Sequence, residues 1–324
     1  MSKNTKPCIG IDLGGTNIQA GLINGTGKVL TRYDTKTKVE QGADAVVKRI
    51  LKLARNVVEE AGLDMQDVAG LGIGAPGTID STNGIVQNAV NLRWTDFPLT
   101  KRLHQELQIP IVLDNDVNVG TWGEYRAGAG QGHNHMLGVF IGTGIGGGLI
   151  IDGKIYHGIL GTAGELGHAV VEPHASLGRR TLENLASRTS IVNLLTQLIR
   201  SNHPSCLPEL TGGDLSKIRS KVLAAALDRK DPLTEQVLTE AARYIGISIA
   251  GVVTLLSLPC VVIGGGLSAA VGKQWVQRIR EAFEEHVFPT DLRSCSIVTS
   301  SLGDDAGIIG AALLTQTAAE EPPN

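Results

Sequence analysis

Cysteine and net charge are both scarce in this sequence of 324 residues. The four cysteines are far apart, at Cys8, Cys206, Cys260 and Cys295. Because no two of them form a Cys-x-x-Cys pair, we expect neither a disulfide framework nor a zinc cage, and a reducing compartment fits. Lys and Arg number 29 against 32 Asp and Glu, a net charge of −3. A balance so close to neutral argues against binding to nucleic acid or to a membrane surface.

Targeting and membrane signals are also missing. Asp12 and a glycine turn follow the basic N-terminal residues too soon to leave room for an apolar signal-peptide core. No charged residue lies between Arg243 and Lys273, but Pro259 and a glycine triplet interrupt that stretch. The pattern therefore predicts a buried helix followed by a buried strand rather than a membrane span. We expect a cytoplasmic protein.

Glycine, by contrast, is abundant, with 41 residues in the chain. This is about 13% of the sequence against a typical value of about 7%, which indicates tight turns or backbone close to a ligand. A strand, a glycine turn and a second strand are predicted over residues 9–23 and again over 136–151. Two such units in one chain predict a duplicated domain.

Alternating helix and strand patterns fill much of the remaining sequence. Helices are predicted over residues 43–61, 99–107, 233–256, 273–286 and 306–316, and strands over 29–33, 68–74, 111–113, 260–263 and 296–300. This alternation predicts an α/β fold with two similar lobes.

The first candidate site is Asp12-Leu13-Gly14-Gly15-Thr16-Asn17. Its small residues would expose several backbone N–H groups, and Thr16 and Asn17 would add side-chain donors, which suits phosphate oxygens. Asp12, at the end of a strand, could hold water on a Mg²⁺ ion. The alternative is a hairpin that needs glycine only for its positive φ.

The second candidate is the glycine-rich segment 142–148, which includes Thr143 and Gly144. It contains the G-x-G-x-x-G pattern of dinucleotide-binding proteins, but a strand and turn follow it where such a site requires a helix. A nicotinamide-dependent oxidoreductase is therefore disfavoured. No G-x-x-x-x-G-K-[ST] motif occurs, which excludes a P-loop.

Three further segments allow both a functional and a structural interpretation. Asn115 and Asp116 lie where a strand gives way to a helix, so Asp116 is either a general base or part of a helix cap. Glu165, His168 and Glu183 could hydrogen-bond a polyol, or could be ordinary surface residues. Gly264, Gly265 and Gly266 could admit a purine ring, or could form a strand-to-helix turn.

In their order along the chain, these motifs resemble the ROK (repressor, open reading frame, kinase) family of sugar kinases. The resemblance covers the chain from Ile9 to about Leu314 and implies a two-lobed actin/hexokinase-like ATPase fold. It predicts a first lobe of residues 1–117 with 303–318, a second lobe of residues 118–302, and a frayed tail at 319–324.

The resemblance also assigns roles to the motif residues. Asp116 is expected to be the catalytic base. The expected sugar ligands are Gly77, Asn91, Asn115, Asp116, Glu165, His168 and Glu183. The expected ATP-binding residues are Asp12, Gly14, Gly15, Thr16, Asn17, Thr143, Gly144, Gly264, Gly265 and Gly266.

One segment departs from the family pattern. The family carries a cysteine-rich zinc motif after the histidine, whereas residues 174–183 here are His-Ala-Ser-Leu-Gly-Arg-Arg-Thr-Leu-Glu. A structural zinc site needs about four nitrogen or sulfur ligands, and only His168 and His174 are at hand. We therefore predict that the protein has no structural zinc and that its loop is held in another way.

The resemblance implies an ATP-dependent hexose kinase that uses Mg²⁺, with glucose as the first candidate substrate. Fructose, N-acetylmannosamine, N-acetylglucosamine and allose remain open as acceptors. A sugar-responsive repressor is disfavoured, because such proteins need a DNA-binding segment before the first phosphate turn. The family resemblance further implies a homodimer.

Overall fold

The computed structural model describes residues 6–320. These residues form two compact units, and the two-unit α/β architecture predicted from the sequence is confirmed. The first unit runs to Asn134 and also contains Leu149–Ala163 and the segment from Asp304 onward. The second unit comprises His135–Gly148 and Gly164–Gly303.

Strands and helices alternate along most of the described chain. The strands are β1 (Cys8–Leu13), β2 (Asn17–Ile23), β3 (Val29–Lys36), β4 (Leu71–Ala75), β5 (Thr78–Asp80), β6 (Ile85–Ala89), β7 (Trp94–Phe97), β8 (Ile111–Asn115), β9 (Met136–Ile141), β10 (Ile145–Ile151), β11 (Lys154–Ile155), β12 (Cys260–Gly264) and β13 (Ser296–Thr299). The helices are α1 (Ala43–Glu60), α2 (Leu99–Leu107), α3 (Asp116–Ala127), α4 (Leu182–Ala186), α5 (Arg188–Arg200), α6 (Leu207–Leu210), α7 (Ser220–Asp228), α8 (Pro232–Leu256), α9 (Gly266–Val271), α10 (Lys273–His286) and α11 (Ala306–Glu320).

The main sheet of the first unit has the strand order β3-β2-β1-β4-β8. Strands β1, β4 and β8 are parallel, and their register aligns Asp12 with Gly74 and Gly74 with Asp114. The carboxyl ends of the three strands therefore lie side by side. Ligands of open α/β sheets bind outside such an edge, so the register places the first candidate motifs where a ligand site is expected.

Helix α11 lies so close to this sheet that only glycine fits beneath it. A Cβ atom added to Gly10 would lie 1.8 Å from the carbonyl oxygen of Ile308. Helices α3 and α11 are equally close, because a Cβ on Gly310 would lie 1.8 Å from the carbonyl oxygen of Val119. This packing explains why α3 belongs to the first unit, which continues past the boundary predicted at 117/118.

A second five-stranded sheet has the order β11-β10-β9-β12-β13, and β12 runs parallel to both β9 and β13. Helix α8 is long and apolar enough to cross a membrane. However, one face of it, including Ile245, Ile249 and Val253, is fully buried in the second unit. Its Leu238 carbonyl also accepts a hydrogen bond of 3.0 Å from Nε1 of buried Trp275. The predicted buried helix followed by a buried strand is confirmed in α8 and β12.

The second glycine-rich segment is extended for most of its length. Strand β10 begins at Ile145, so the turn comprises only residues 142–144, whereas the prediction placed the turn over 142–148. A Cβ on Gly147 would lie 2.5 Å from the carbonyl oxygen of Gly164. Glycine is therefore required there by close packing within a strand.

Several elements were not predicted from the sequence. These are the three-stranded sheet β5-β6-β7 and the helices α4, α5, α6 and α7. In the tail predicted at 319–324, helix α11 continues to Glu320, and residues 321–324 lie outside the described part of the chain.

Candidate active site

The turn between β1 and β2 is clamped from the end of β3. Gly14 N–H donates to the carbonyl of Asn17 (2.9 Å), and buried Thr37 binds the turn twice. The Thr37 hydroxyl donates to the carbonyl of Gly14 (2.6 Å), and its N–H donates to the carbonyl of Thr16 (2.8 Å). Two acceptors of the turn are thereby occupied. A turn whose carbonyls are engaged in this way suits an anion.

Thr16 and Asn17 are exposed at this turn, as a phosphate site requires. The ammonium group of Lys36 donates to Oδ1 of Asn17 (2.8 Å). Gly15 lies against Asn91, because a Cβ added to Gly15 would lie 3.1 Å from Cβ of Asn91. The predicted phosphate turn and one predicted sugar ligand are therefore neighbours in the first unit.

Asp12 lies at the carboxyl end of β1, against the start of α11. A Cβ added to Gly307 would lie 2.8 Å from Oδ2 of Asp12. Burial, and to a lesser extent the negative charge of Asp116, raise the pKa of the Asp12 carboxyl to about 7. Two carboxylates that repel each other in a poorly solvated place are stabilised by a divalent cation. The donor set therefore fits Mg²⁺.

Asn115 begins helix α3 and uses both arms of its amide. Its Oδ1 accepts hydrogen bonds from the N–H groups of Val117 (2.9 Å) and Asn118 (3.2 Å), so it is the helix N-cap. Its Nδ2 donates to the carbonyl of Gly77 (3.1 Å). Asn115 therefore joins the helix start to the loop after β4, in which Gly77 has a φ of 91°.

Asp116 is the first residue of α3, and it is half-buried. Its Oδ1 accepts a hydrogen bond from the N–H of Val117 (3.0 Å). The N-terminus of a helix favours a negative charge, so this position suits a carboxylate. The general-base role of Asp116 stays a prediction.

Asp114, directly before these residues, is buried with 3% of its surface exposed. Its Oδ1 accepts hydrogen bonds from the Asn115 N–H (2.7 Å) and from Asn118 Nδ2 (3.0 Å). Its Oδ2 lies 2.6 Å from Nε2 of His157. The hydrogen bond to Asp114 raises the pKa of His157, although burial opposes the effect. His157 was not among the predicted site residues.

In the second unit, the turn 142–144 is held by the start of helix α5. Within the turn, the Gly142 N–H donates to the carbonyl of Gly144 (2.9 Å). The Arg188 N–H donates to the carbonyl of Gly142 (3.0 Å), and the Arg188 guanidinium donates to Oγ1 of Thr143 (2.7 Å). The hydroxyl of Thr189 donates to the Thr143 carbonyl (2.7 Å). As in the first unit, carbonyls of the turn are engaged from outside.

Glu183 lies against the same turn. Its Oε2 accepts a hydrogen bond of 2.8 Å from the Ile145 N–H, and a Cβ added to Gly144 would lie 2.2 Å from that oxygen. Gly167 packs beside it, because a Cβ there would lie 3.4 Å from Cβ of Glu183. The segment with Glu165 and His168 is thus brought to the second glycine turn.

Glu165 and His168 flank one turn of 3₁₀ helix. Oε2 of Glu165 lies 4.0 Å from Nε2 of His168, and the side chains are 51% and 71% exposed. Both remain accessible to a ligand, and their role in sugar binding stays a prediction.

The loop that departs from the zinc motif forms a short hairpin. Val170 and Thr181 pair in an antiparallel bridge, and the N–H of Leu182 donates to the carbonyl of Ala169 (3.0 Å). The carbonyl of Arg180 accepts from the N–H groups of Val171 (2.8 Å) and Glu172 (3.1 Å). Across residues 6–320, no group of three or more His, Cys, Asp or Glu side chains is placed to hold a metal ion. Backbone hydrogen bonds hold this loop.

The glycine triplet 264–266 forms a strand-to-helix turn. Gly264 ends β12, Gly265 has a φ of 88°, and Gly266 begins α9. A Cβ on Gly265 would lie 2.4 Å from the carbonyl oxygen of Ile141, at the end of β9. The structural interpretation of this motif is correct. Because Ile141 directly precedes the turn 142–144, the triplet lies beside that turn, and its contact with the nucleotide stays a prediction.

Thr37, His157 and Arg188 were missed because each acts on a residue far away in the sequence. Thr37 is 23 residues from Gly14, His157 is 43 from Asp114, and Arg188 is 45 from Thr143. No local pattern points to such partners.

Comparison with known proteins gives the same answer as the motifs. The model of the ROK family matches residues 8–318. A glucokinase from Thermotoga maritima is 35% identical over 94% of this chain and 95% of its own, and a glucokinase from Halalkalibacterium halodurans is 33% identical over 95% and 94%. The crystal structure of a ROK family glucokinase from Streptomyces griseus, in complex with glucose and AMPPNP, is 32% identical, with a TM-score of 0.84 over 96% of this chain and 99% of that one. This chain belongs to the ROK family.

Proposed function

We propose that the protein is an ATP-dependent hexose kinase whose preferred acceptor is glucose, which it converts to glucose 6-phosphate. The observation that carries the proposal is the register of the first sheet. It aligns Asp12, Gly74 and Asp114 across β1, β4 and β8, so that the phosphate turn after β1 and Asp116 after β8 lie at the same edge of the sheet, on either side of the end of β4. The similarity to three glucokinases supports glucose as the acceptor.

In this proposal, Asp116 binds the attacking sugar hydroxyl and accepts its proton on the carboxylate. The turns 14–16 and 142–144 bind phosphate oxygens through backbone N–H groups and through the hydroxyls of Thr16 and Thr143. Phosphoryl transfer needs mainly positioning and charge stabilisation from the protein. Asp12 would hold Mg²⁺, directly or through water, and the ion when bound neutralises charge on the phosphates.

Glu165, His168 and Glu183 in the second unit, and Gly77, Asn91 and Asn115 in the first, are proposed to contact the sugar. Fructose, N-acetylmannosamine, N-acetylglucosamine and allose are the competing acceptors within the same reaction. We place the enzyme in the cytoplasm, and a homodimer is its proposed assembly.

The test is an ADP-release assay with ATP, Mg²⁺ and a panel of these hexoses. Glucose should give the highest kcat/KM. A general base contributes about 10²- to 10⁴-fold, so Asp116→Asn should lower kcat by that factor. Its thermal unfolding temperature should equal that of wild type. Near-normal turnover of Asp116→Asn would exclude Asp116 as the base, and no ADP release with any sugar would overturn the proposed function.

A further inference from the structure

Transfer of a phosphoryl group moves negative charge onto the leaving phosphate, and proteins offset this charge with cationic side chains as well as metal ions. The residues predicted to bind the nucleotide comprise glycines, two threonines, Asn17 and Asp12. None of them is a lysine or an arginine. A cation supplied by the protein is therefore missing from the predicted site.

Arg188 fills this gap at the second turn. Its backbone is fixed because it begins α5 directly after the N-cap residue Ser187, and its N–H donates to Gly142. Its side chain reaches the same turn, where Nη2 donates to Oγ1 of Thr143 (2.7 Å). Two attachments to one short turn hold the guanidinium beside the backbone that is proposed to bind phosphate.

The donor count leaves this guanidinium available to a ligand. A guanidinium has five N–H donors in a planar fork that matches phosphate oxygens. One donor binds Thr143, and for the other four the described residues 6–320 provide no hydrogen-bond partner. Because Thr143 Oγ1 accepts from Arg188, its own hydrogen remains available as a donor. Arg188 therefore contributes a charge and also orients the threonine.

Lys36 at the first turn is a weaker candidate for the same role. It is exposed, and its ammonium group contacts Oδ1 of Asn17 from a flexible stem. Arg188 is half-buried and is anchored through its main chain as well as its side chain.

We propose that Arg188 binds the terminal phosphates of the nucleotide and stabilises the charge that develops as the phosphoryl group is transferred. This inference rests on the proposed kinase function. In the step concerned, the bond from the γ-phosphorus to the β–γ bridging oxygen breaks, and a bond forms from that phosphorus to the sugar oxygen. The electron pair of the broken bond stays on ADP, whose new negative charge Arg188 faces, and the sugar proton passes to Asp116.

Arg188→Gln separates charge from bracing, because glutamine still offers a donor to Thr143. Charge-assisted hydrogen bonds contribute about 10- to 10²-fold each in affinity. The variant should therefore lower kcat/KM for ATP by about 10²-fold and leave the KM for glucose unchanged, and Arg188→Lys should recover part of the loss. Arg200→Ala, at the exposed far end of the same helix, is the matched control and should behave as wild type.

Equal ATP kinetics in wild type and Arg188→Gln would overturn the proposal and leave Arg188 as a brace of the turn. Titration calorimetry with inorganic tripolyphosphate gives a readout that needs no sugar. Arg188→Gln should bind tripolyphosphate at least 10-fold more weakly than wild type. If wild type phosphorylates no sugar, the proposed function fails, whereas equal tripolyphosphate affinities in an active enzyme refute the role of Arg188 alone.

Discussion

Replacing His157 should destabilise the first unit by an amount that depends on pH. His157 Nε2 lies 2.6 Å from Oδ2 of Asp114, and the two side chains are 36% and 4% exposed. In His157→Leu, Oδ2 of Asp114 loses this partner, while Oδ1 keeps its bonds to Asn115 and Asn118. Leaving one buried polar atom without a partner costs about 1–3 kcal/mol. Because His157 is one-third exposed, water offsets part of the loss, and we expect a value of about 2 kcal/mol.

The pH dependence follows from the raised pKa of His157, which is caused by its hydrogen bond to Asp114. A histidine whose pKa is higher in the folded state stabilises the fold most when it is protonated in both states. This contribution is complete below the unfolded pKa of about 6.5 and is lost as the pH rises through the folded value. The deficit of His157→Leu should therefore be largest near pH 6 and smaller near pH 9.

Urea unfolding followed by tryptophan fluorescence measures this difference, because Trp94 and Trp122 are both buried in the first unit. His157→Gln is the matched control. It keeps a neutral donor for Asp114 but does not titrate, so its deficit should be smaller than that of His157→Leu at each pH and should fall by the same amount between pH 6 and pH 9. The reasoning is refuted if the deficit of His157→Leu is constant over this range or grows with pH.

Three other outcomes are expected. The pKa of Asp12 is raised to about 7, so its ionisation destabilises the ligand-free protein as the pH rises from about 4 to 7. At about 1.4 kcal/mol per pKa unit, Asp12→Asn should raise the free energy of unfolding at pH 8, measured in urea, by up to about 4 kcal/mol, and it should abolish ADP release. Gly310→Ala should lower the free energy of unfolding by about 3 kcal/mol or more, because its Cβ would lie 1.8 Å from the Val119 carbonyl oxygen. Gly251→Ala, exposed in α8 with nothing within 4 Å, should raise it by about 1 kcal/mol, and equal thermal shifts of the two variants would contradict this. Elemental analysis should find no stoichiometric zinc, and EDTA treatment followed by Mg²⁺ should leave activity unchanged; loss of activity that zinc alone restores would show that the hairpin 170–181 needs the metal.

The parts of the fold that the sequence predicts are those with a local code. Helix α1 was predicted over residues 43–61 and is found at Ala43–Glu60, because its buried valines and leucines recur at helical spacing. The hairpin β1–β2 was predicted from alternation on both sides of a glycine turn. In the second glycine-rich segment the same reasoning made the turn too long, because Gly147 is needed inside a strand that packs against Gly164.

The contacts that shape the candidate site depend on tertiary structure. Thr37 hydrogen-bonds the first turn and Arg188 the second. Threonine and arginine are common residues, so neither one indicates a site by its type alone. Their partners are set by the tertiary fold. Local sequence patterns therefore predict the two turns but not the hydrogen bonds from Thr37 and Arg188 that hold them. The same is true of the backbone pairing that holds the segment 170–181.

Asn115 shows why a structural and a functional interpretation of one motif need not compete. Its Oδ1 caps helix α3, and its Nδ2 fixes the loop at Gly77. The cap holds the first turn of the helix, and Asp116 is the first residue of that turn. A carboxylate that must meet a hydroxyl needs a fixed backbone, and a capped helix start provides one together with a dipole that favours the charge. The residues that end β8 and begin α3 therefore stabilise the helix start and also hold the backbone that carries the carboxylate of Asp116.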